Sequence, residues 1–240
     1  MELKDNQSDK EKLKKLIDKF VNSSQRKRKN FINDIELSVD DLLKFSDEIF
    51  NDFDKESDDW AVGWILQVLK KNRPEFFRNN IIFDNWFSTS SEIDINYDHL
   101  QQKLLEQDFE EADRLTSSFL RKLAGKVAEK RGYVFYSEVK NMSGTDLVTI
   151  DRLWKIYSQG KFGFSVQAKI LKSVNKRYDL LWPKIGWKTN GIWTRYPSSF
   201  NWSLEAPDGH MPLVNQLRGV RLMDSLLKHP SIAARHDNSL

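Results

Sequence analysis

The amino-acid sequence predicts a mainly α-helical protein: a small N-terminal helical bundle, then a larger helical core that carries a short β-hairpin and a long irregular loop. Three observations carry this reading. Apolar residues recur at i, i+3, i+4 spacing over most of the chain up to Tyr178, as on helices that bury one face. One Asn-Gly pair, Asn190-Gly191, sits between Trp187 and Ile192-Trp193, and both central positions of a tight hairpin turn require positive φ. After Tyr178 single apolar residues alternate with Gly, Pro, Asn and Thr, which breaks the helical period.

The N-terminal elements follow from caps and stripes. Ser8 can open a helix whose Leu13, Leu16, Ile17, Phe20 and Val21 share a face. Phe31, Ile32 and Ile35 suggest a second helix. Ser38 with Asp40 and Asp41 marks a third start, followed by Leu42, Leu43, Phe45, Ile49 and Phe50. Asp58 or Asp59 caps a fourth, with Trp60, Trp64, Ile65, Val68 and Leu69, and Pro74 stops it. These four helices make the bundle, residues 1–83.

Residues 84–96 are rich in Ser, Asp and Asn without helical period, and read as a linker. The core, 97–232, opens with a helical hairpin over 97–107 and 108–124, ended by Gly125. Ser137 caps a short turn. Thr145 or Asp146 starts a helix with Leu147, Ile150, Leu153, Trp154 and Tyr157, closed by Gly160. Ser165 starts another. The hairpin at Asn190-Gly191 follows, then an irregular loop over 206–212 and a last helix over 215–228. Residues 233–240 are a tail.

Composition narrows function. The chain has 240 residues, no cysteine, and 38 Lys+Arg against 35 Asp+Glu. Thiol nucleophiles, disulfides, zinc ribbons, iron–sulfur clusters and covalent haem attachment are therefore excluded. The mean hydropathy is −0.62, and no apolar run is long enough for a membrane-spanning helix. The first residues mix acids and bases, unlike a signal or transit peptide, so the protein is expected to work where it is made. Charge is uneven. Residues 34–59 carry eleven acids against Lys44 and Lys55, a local net of −9 within a chain of +3. The rest of the chain sums to +12, and so local an acidic stretch suggests two units with different surfaces.

No phosphate loop, HExxH, GxSxG or strand-linked GxGxxG is present, and the four histidines lack metal-site spacing. What stands out is aromatic: Phe162, Phe164, Trp182, Trp187, Trp193, Tyr196, Phe200 and Trp202, with Arg195 among them. Asn215, Arg218 and Arg221 follow on one helical face, where two guanidinium forks can take carboxylates or phosphates. The pairing suits a large, flat, amphipathic ligand. The same residue types also serve single-stranded nucleic acid by stacking, and helical hairpins with acidic faces also serve a protein-interaction scaffold; these remain the alternatives.

Several stretches resemble one family in the right order: QDFEEAD (107–113), TIDRLW (149–154), GKFGFSVQ (160–167), LWPKIGW (181–187), IWTRYP (192–197), APDGH (206–210) and NQLRGVR (215–221). The chain resembles the genomes-uncoupled tetrapyrrole-binding family over about residues 95–232. Its N-terminal helices are similar to the extra domain of cyanobacterial and algal members.

The resemblance implies a non-catalytic protein with a cupped helical fold that needs no cofactor. It binds protoporphyrin IX or Mg-protoporphyrin IX and stimulates magnesium chelatase, in partnership with the porphyrin-binding subunit of that enzyme. It also implies a monomer in the plastid stroma or cyanobacterial cytoplasm, with no nucleic-acid partner, and leaves room for peripheral membrane association. The matching pocket positions are Phe109, Val127, Tyr136, Tyr196, Phe200, Asn215, Arg218 and Arg221, with no metal ligand assigned. Tyr196 and Phe200 lie on the closing loop; Asn215, Arg218 and Arg221 face the propionates. Two positions depart from relatives: Ser117 stands where some carry arginine, and Tyr196 where some carry tryptophan. Arg114 and Arg121 lie about one helical turn from Ser117.

Overall fold

The computed structural model describes residues 2–80, 83–214 and 220–237. It divides into two compact units, Met1–Ser88 and Thr89–Leu240. Helices dominate both, and the one sheet among the described residues is a two-stranded hairpin.

Among its described residues the first unit holds seven α-helices rather than four: α1 (Glu2–Val21), α2 (Gln25–Arg28), α3 (Ile32–Leu37), α4 (Val39–Lys44), α5 (Ser46–Asn51), α6 (Trp60–Asn72) and α7 (Pro74–Asn79). Ser8 lies inside α1, because Glu, Lys and Leu before it are good helix formers and nothing breaks them. The expected helix after Ser38 divides at Phe45 into α4 and α5. Pro74 begins α7, at a first-turn position where its missing N–H costs nothing. Every residue of α6 from Trp60 to Leu69 is buried; α1 and α4 contact the helix, and the Phe20 ring of α1 lies 5.8 Å from Trp60 and 5.1 Å from Trp64. Asp59 caps α6, accepting from the Ala61 N–H at 2.7 Å. The same carboxylate takes both forks of the buried Arg28 at 2.6 Å. Arg28 also donates to the Phe20 and Val21 carbonyls and lies over the Trp60 ring, so its charge is fully partnered.

The stretch read as a linker is well packed. Trp86 and Phe87 are buried in the first unit, while Asp84 pairs with Lys70. Within the second unit the Ser90 carbonyl accepts from the Thr149 hydroxyl, and the Glu92 N–H donates to Asp146.

The second unit contains α8 (Asp98–Leu105), α9 (Phe109–Leu123), α10 (Lys126–Arg131), a 3-10 helix (Tyr136–Asn141), α11 (Gly144–Tyr157), α12 (Phe164–Ser173), α13 (Tyr178–Lys184), β1 (Lys188–Thr189), β2 (Ile192–Trp193), α14 (Arg221–Leu227) and α15 (Pro230–Asp237). The core is built around α11, which α8, α12 and α15 contact. Its cap is Ser143, two or three residues before the expected one. Asp146 instead accepts from the buried Tyr97 hydroxyl at 2.7 Å. Trp154 donates to the Thr116 hydroxyl at 2.9 Å and lies parallel to Phe109. Gly163, at φ +130°, opens α12; a side chain there would meet Asp151 Oδ1 at 2.7 Å.

The hairpin forms where expected, with Asn190 at φ 51° and Gly191 at 82°, pairing Lys188 with Trp193 and Thr189 with Ile192. The loop over 206–212 is irregular, as expected, and mostly buried: Ala206, His210 and Met211 lie inside while Pro207 and Asp208 stay exposed. Buried Gln167 supplies its backbone with partners, donating to the Gly209 and Pro212 carbonyls. The last helix begins, within the described residues, at Arg221. Residues 233–237, expected as tail, continue α15, and Arg235 reaches the fully buried Asp151 at 2.6 Å.

Candidate functional site

The site grows from one face of α9. Asp108 caps this helix, and Phe109, Ala112, Thr116, Phe119, Leu120 and Leu123 bury its apolar stripe. Asp113, Ser117 and Arg121 are spaced by four, so they stand one above another beside that stripe.

Ser117 and Arg121 line a cavity of about 150 Å³. Its other walls are Tyr133 to Tyr136, Leu213 and Val214, and Arg221 with Leu222 at the start of α14. Two rings stand partly open here, Phe135 at 42% and Tyr136 at 47% exposure. The Arg221 guanidinium sits 5.4 Å from the centre of the Tyr136 ring. Arg131 fixes the facing rim. Its guanidinium lies 4.0 Å from the Phe135 ring and 4.6 Å from that of Tyr133. It pairs with Glu138 at 2.7 Å, and Glu138 in turn accepts from the Phe135 N–H.

The electrostatics of the cavity are one-sided. Arg121 and Arg221 both line it, no Asp or Glu does, and neither arginine has a hydrogen bond or ion pair among the described residues. Two unneutralised cations beside open aromatic faces favour an anionic ligand with a flat apolar body.

Asp113, one turn above Ser117, ties two segments together. Its Oδ1 accepts from the Leu213 N–H at 2.6 Å and its Oδ2 from the Tyr196 hydroxyl at 3.2 Å. Burial pushes this carboxyl up to about 7; the two donors pull it down, and Glu110 adds to the rise. Tyr196 leads into an aromatic cluster. Phe200 lies 5.7 Å from Tyr196, 5.3 Å from Trp202 and 4.7 Å from His210. Desolvation lowers the pKa of His210. Its Nδ1 lies 2.6 Å from the Ile185 carbonyl, and its Nε2 accepts from the Asn201 N–H at 3.4 Å. Both ring nitrogens are thus engaged within the protein.

Of the expected site residues, the structure brings Tyr136 and Arg221 together on the cavity. Phe109 is in the core, stacked on Trp154, and does not reach the cavity wall. Val127 is 72% exposed on α10. Tyr196 borders a separate open groove with Arg114, and Phe200 is buried in the aromatic cluster. Asn215 and Arg218 lie outside the described residues. Sequence reasoning passes over Phe135, Arg131 and Asp113. The i, i+4 line from Asp113 to Arg121 is the signal that could have found the last of these.

A family model of GUN4-like proteins matches residues 90–230. The chain belongs to the GUN4-like family. That match falls on the second unit, apart from its first residue and its last few. A Ycf53-like protein of Synechocystis is 43% identical over 173 residues, 71% of this chain and 74% of the relative. The chloroplastic tetrapyrrole-binding protein of Arabidopsis thaliana is 43% identical over 152 residues, 60% of this chain but 57% of its own length. The structure of GUN4 from Chlamydomonas reinhardtii, 40% identical, superposes with a TM-score of 0.59 over 62% of this chain and 97% of that one. The GUN4-like fold is therefore mainly α-helical here as well.

Proposed function

We propose that this protein binds a tetrapyrrole, protoporphyrin IX or its magnesium form, and acts without catalysis of its own as an accessory to magnesium chelatase in chlorophyll synthesis. The observation that carries the reading is the cavity between α9 and α14. It offers exposed Phe135 and Tyr136 rings and two arginines, with no lining carboxylate. A porphyrin has a flat apolar body and two carboxylates on one edge, which matches those walls. The cavity, at about 150 Å³, takes that edge rather than the whole macrocycle. The rest would lie over the open rings. The family membership and the name of the Arabidopsis relative support the same ligand class. The chelatase's porphyrin-binding subunit is the partner this reading calls for, and a plastid or cyanobacterial setting fits the named relatives.

Titration with protoporphyrin IX and Mg-protoporphyrin IX tests the binding. Tryptophan quenching and a shifted visible band are expected at micromolar concentration or below, about −8 kcal/mol at the weaker limit. Absence of both well above that range overturns the reading. Stimulation of reconstituted magnesium chelatase by the pure protein tests the accessory role.

A further inference from the structure

Resting on the accessory reading above, we infer that the β1–β2 hairpin is the docking face for the chelatase subunit, which meets it with an acidic surface around an apolar hollow. The far strand of the hairpin is apolar and uncovered. Ile192 is 74% exposed and Trp193 46%, so β2 is open on both of its faces. Neither residue lines the cavity between α9 and α14.

These side chains stand on a rigid base. The Trp193 ring lies 5.5 Å from Trp182, which stacks on Trp187, and the Trp187 indole donates to the His210 carbonyl at 2.7 Å. Thr194 closes the hairpin. Its N–H donates to the Trp187 carbonyl at 3.0 Å, and its hydroxyl to the Gly186 carbonyl at 3.0 Å. A surface ordered before contact loses little freedom on binding, and tryptophan is enriched among the residues that dominate protein interfaces.

The charge around the hairpin has one sign. No Asp or Glu occurs from 180 to 204, while Lys184, Lys188 and Arg195 frame the two strands. Lys184 and Arg195 are exposed and have no ion pair among the described residues. The Lys188 ammonium lies 5.3 Å from the centre of the Trp193 ring. An apolar patch framed by unpaired cations is complementary to acids around a hollow. One exposed indole, already flanked by Trp182 and Lys188, gives no succession of rings for the bases of a nucleic-acid strand. Two apolar side chains bury too little area to hold a membrane.

The test uses the full chain and the purified porphyrin-binding subunit of magnesium chelatase, with binding followed by surface plasmon resonance across a salt series. Protoporphyrin IX is titrated alongside. The variants are Ile192→Asp and Lys184→Glu/Lys188→Glu. Ile192→Asp should weaken subunit binding about tenfold or more, chiefly through faster dissociation. The charge reversal should slow association about tenfold at low salt and remove the gain that low salt gives the parent. Both variants should bind protoporphyrin IX like the parent. Subunit binding unchanged in either variant overturns the docking face and leaves the porphyrin reading standing. Joint loss of subunit and porphyrin also overturns it, since that marks damage beyond the hairpin. A parent that binds porphyrin but not the subunit removes this inference together with the accessory role, and keeps the ligand. If the parent binds phosphatidylglycerol vesicles or oligo(dT), and the variants lose that binding while keeping the subunit, the hairpin serves a lipid surface or nucleic acid instead.

Discussion

The Tyr196 hydroxyl donates to Oδ2 of Asp113, a carboxylate that also holds the Leu213 N–H. One buried acid on α9 thereby fastens the aromatic loop and the strand of chain that walls the cavity. Replacing Tyr196 by Phe keeps the ring on Phe200 and removes only the donor. The expected loss is about 1 kcal/mol of stability. Trypsin should also cut faster after the exposed Arg195. A cleavage rate equal to the parent's would show that the hydroxyl does not hold the loop.

The same acid sets a pH dependence of unusual sign. The Asp113 carboxyl is raised from 3.8 to about 7 in the fold. The folded state therefore binds a proton more tightly than the unfolded chain between those values. Stability must fall as pH rises through this window, with the penalty complete above about 7. Asp113→Asn can still accept from Leu213, and its amide can donate to Tyr196, so it should flatten that slope. The depressed His210 and His229 act in the opposite sense but are common to both proteins. Urea midpoints of parent and variant from pH 4 to 8 should converge at the acid end and diverge above neutrality. Parallel profiles would contradict the assignment.

Arg235 tests whether the chain end is part of the core. Asp151 is fully buried, and its Oδ2 takes the Arg235 Nε while its Oδ1 takes the Ser165 N–H. Arg235→Ala strands a buried charge, at a cost of about 3 kcal/mol or more. Adding Asp151→Asn removes the stranded charge and keeps the acceptor for Ser165. The double variant should then be more stable than Arg235→Ala alone in thermal unfolding. If the single change is silent, the Arg235–Asp151 pair contributes little to stability.

Much of this was legible in the sequence where one local rule had no competitor. Asp59 caps α6, and the Asn190-Gly191 turn forms, because each satisfies its own neighbours. Legibility failed where tertiary partners decide. The turn-rich stretch 206–212 shows no period, yet Gln167 supplies two of its carbonyls with donors from inside the core. The run after Ser38 breaks at Phe45 although its apolar stripe continues. α10 has too few turns to show a period. At the site, Arg221 followed from helical spacing, whereas Tyr136 came through family resemblance, which carries position but not depth. Phe109, a pocket position by that resemblance, is buried and stacked on Trp154. Arg114 has Glu111 three residues before it as an ion-pair partner, whereas Arg121 has no acid one turn away and lines the cavity.

The late aromatic run also has an optical meaning. Trp182 lies parallel to Trp187 at 5.7 Å and 5.5 Å from Trp193. Phe200 lies between Trp187 and Trp202, 6.5 Å from the first and 5.3 Å from the second. Indoles this close exchange excitation before they emit, so light absorbed at any of the first three is shared among them. A single acceptor beside one member would darken the group, so the protein's own emission would report collectively on any coloured molecule bound next to it.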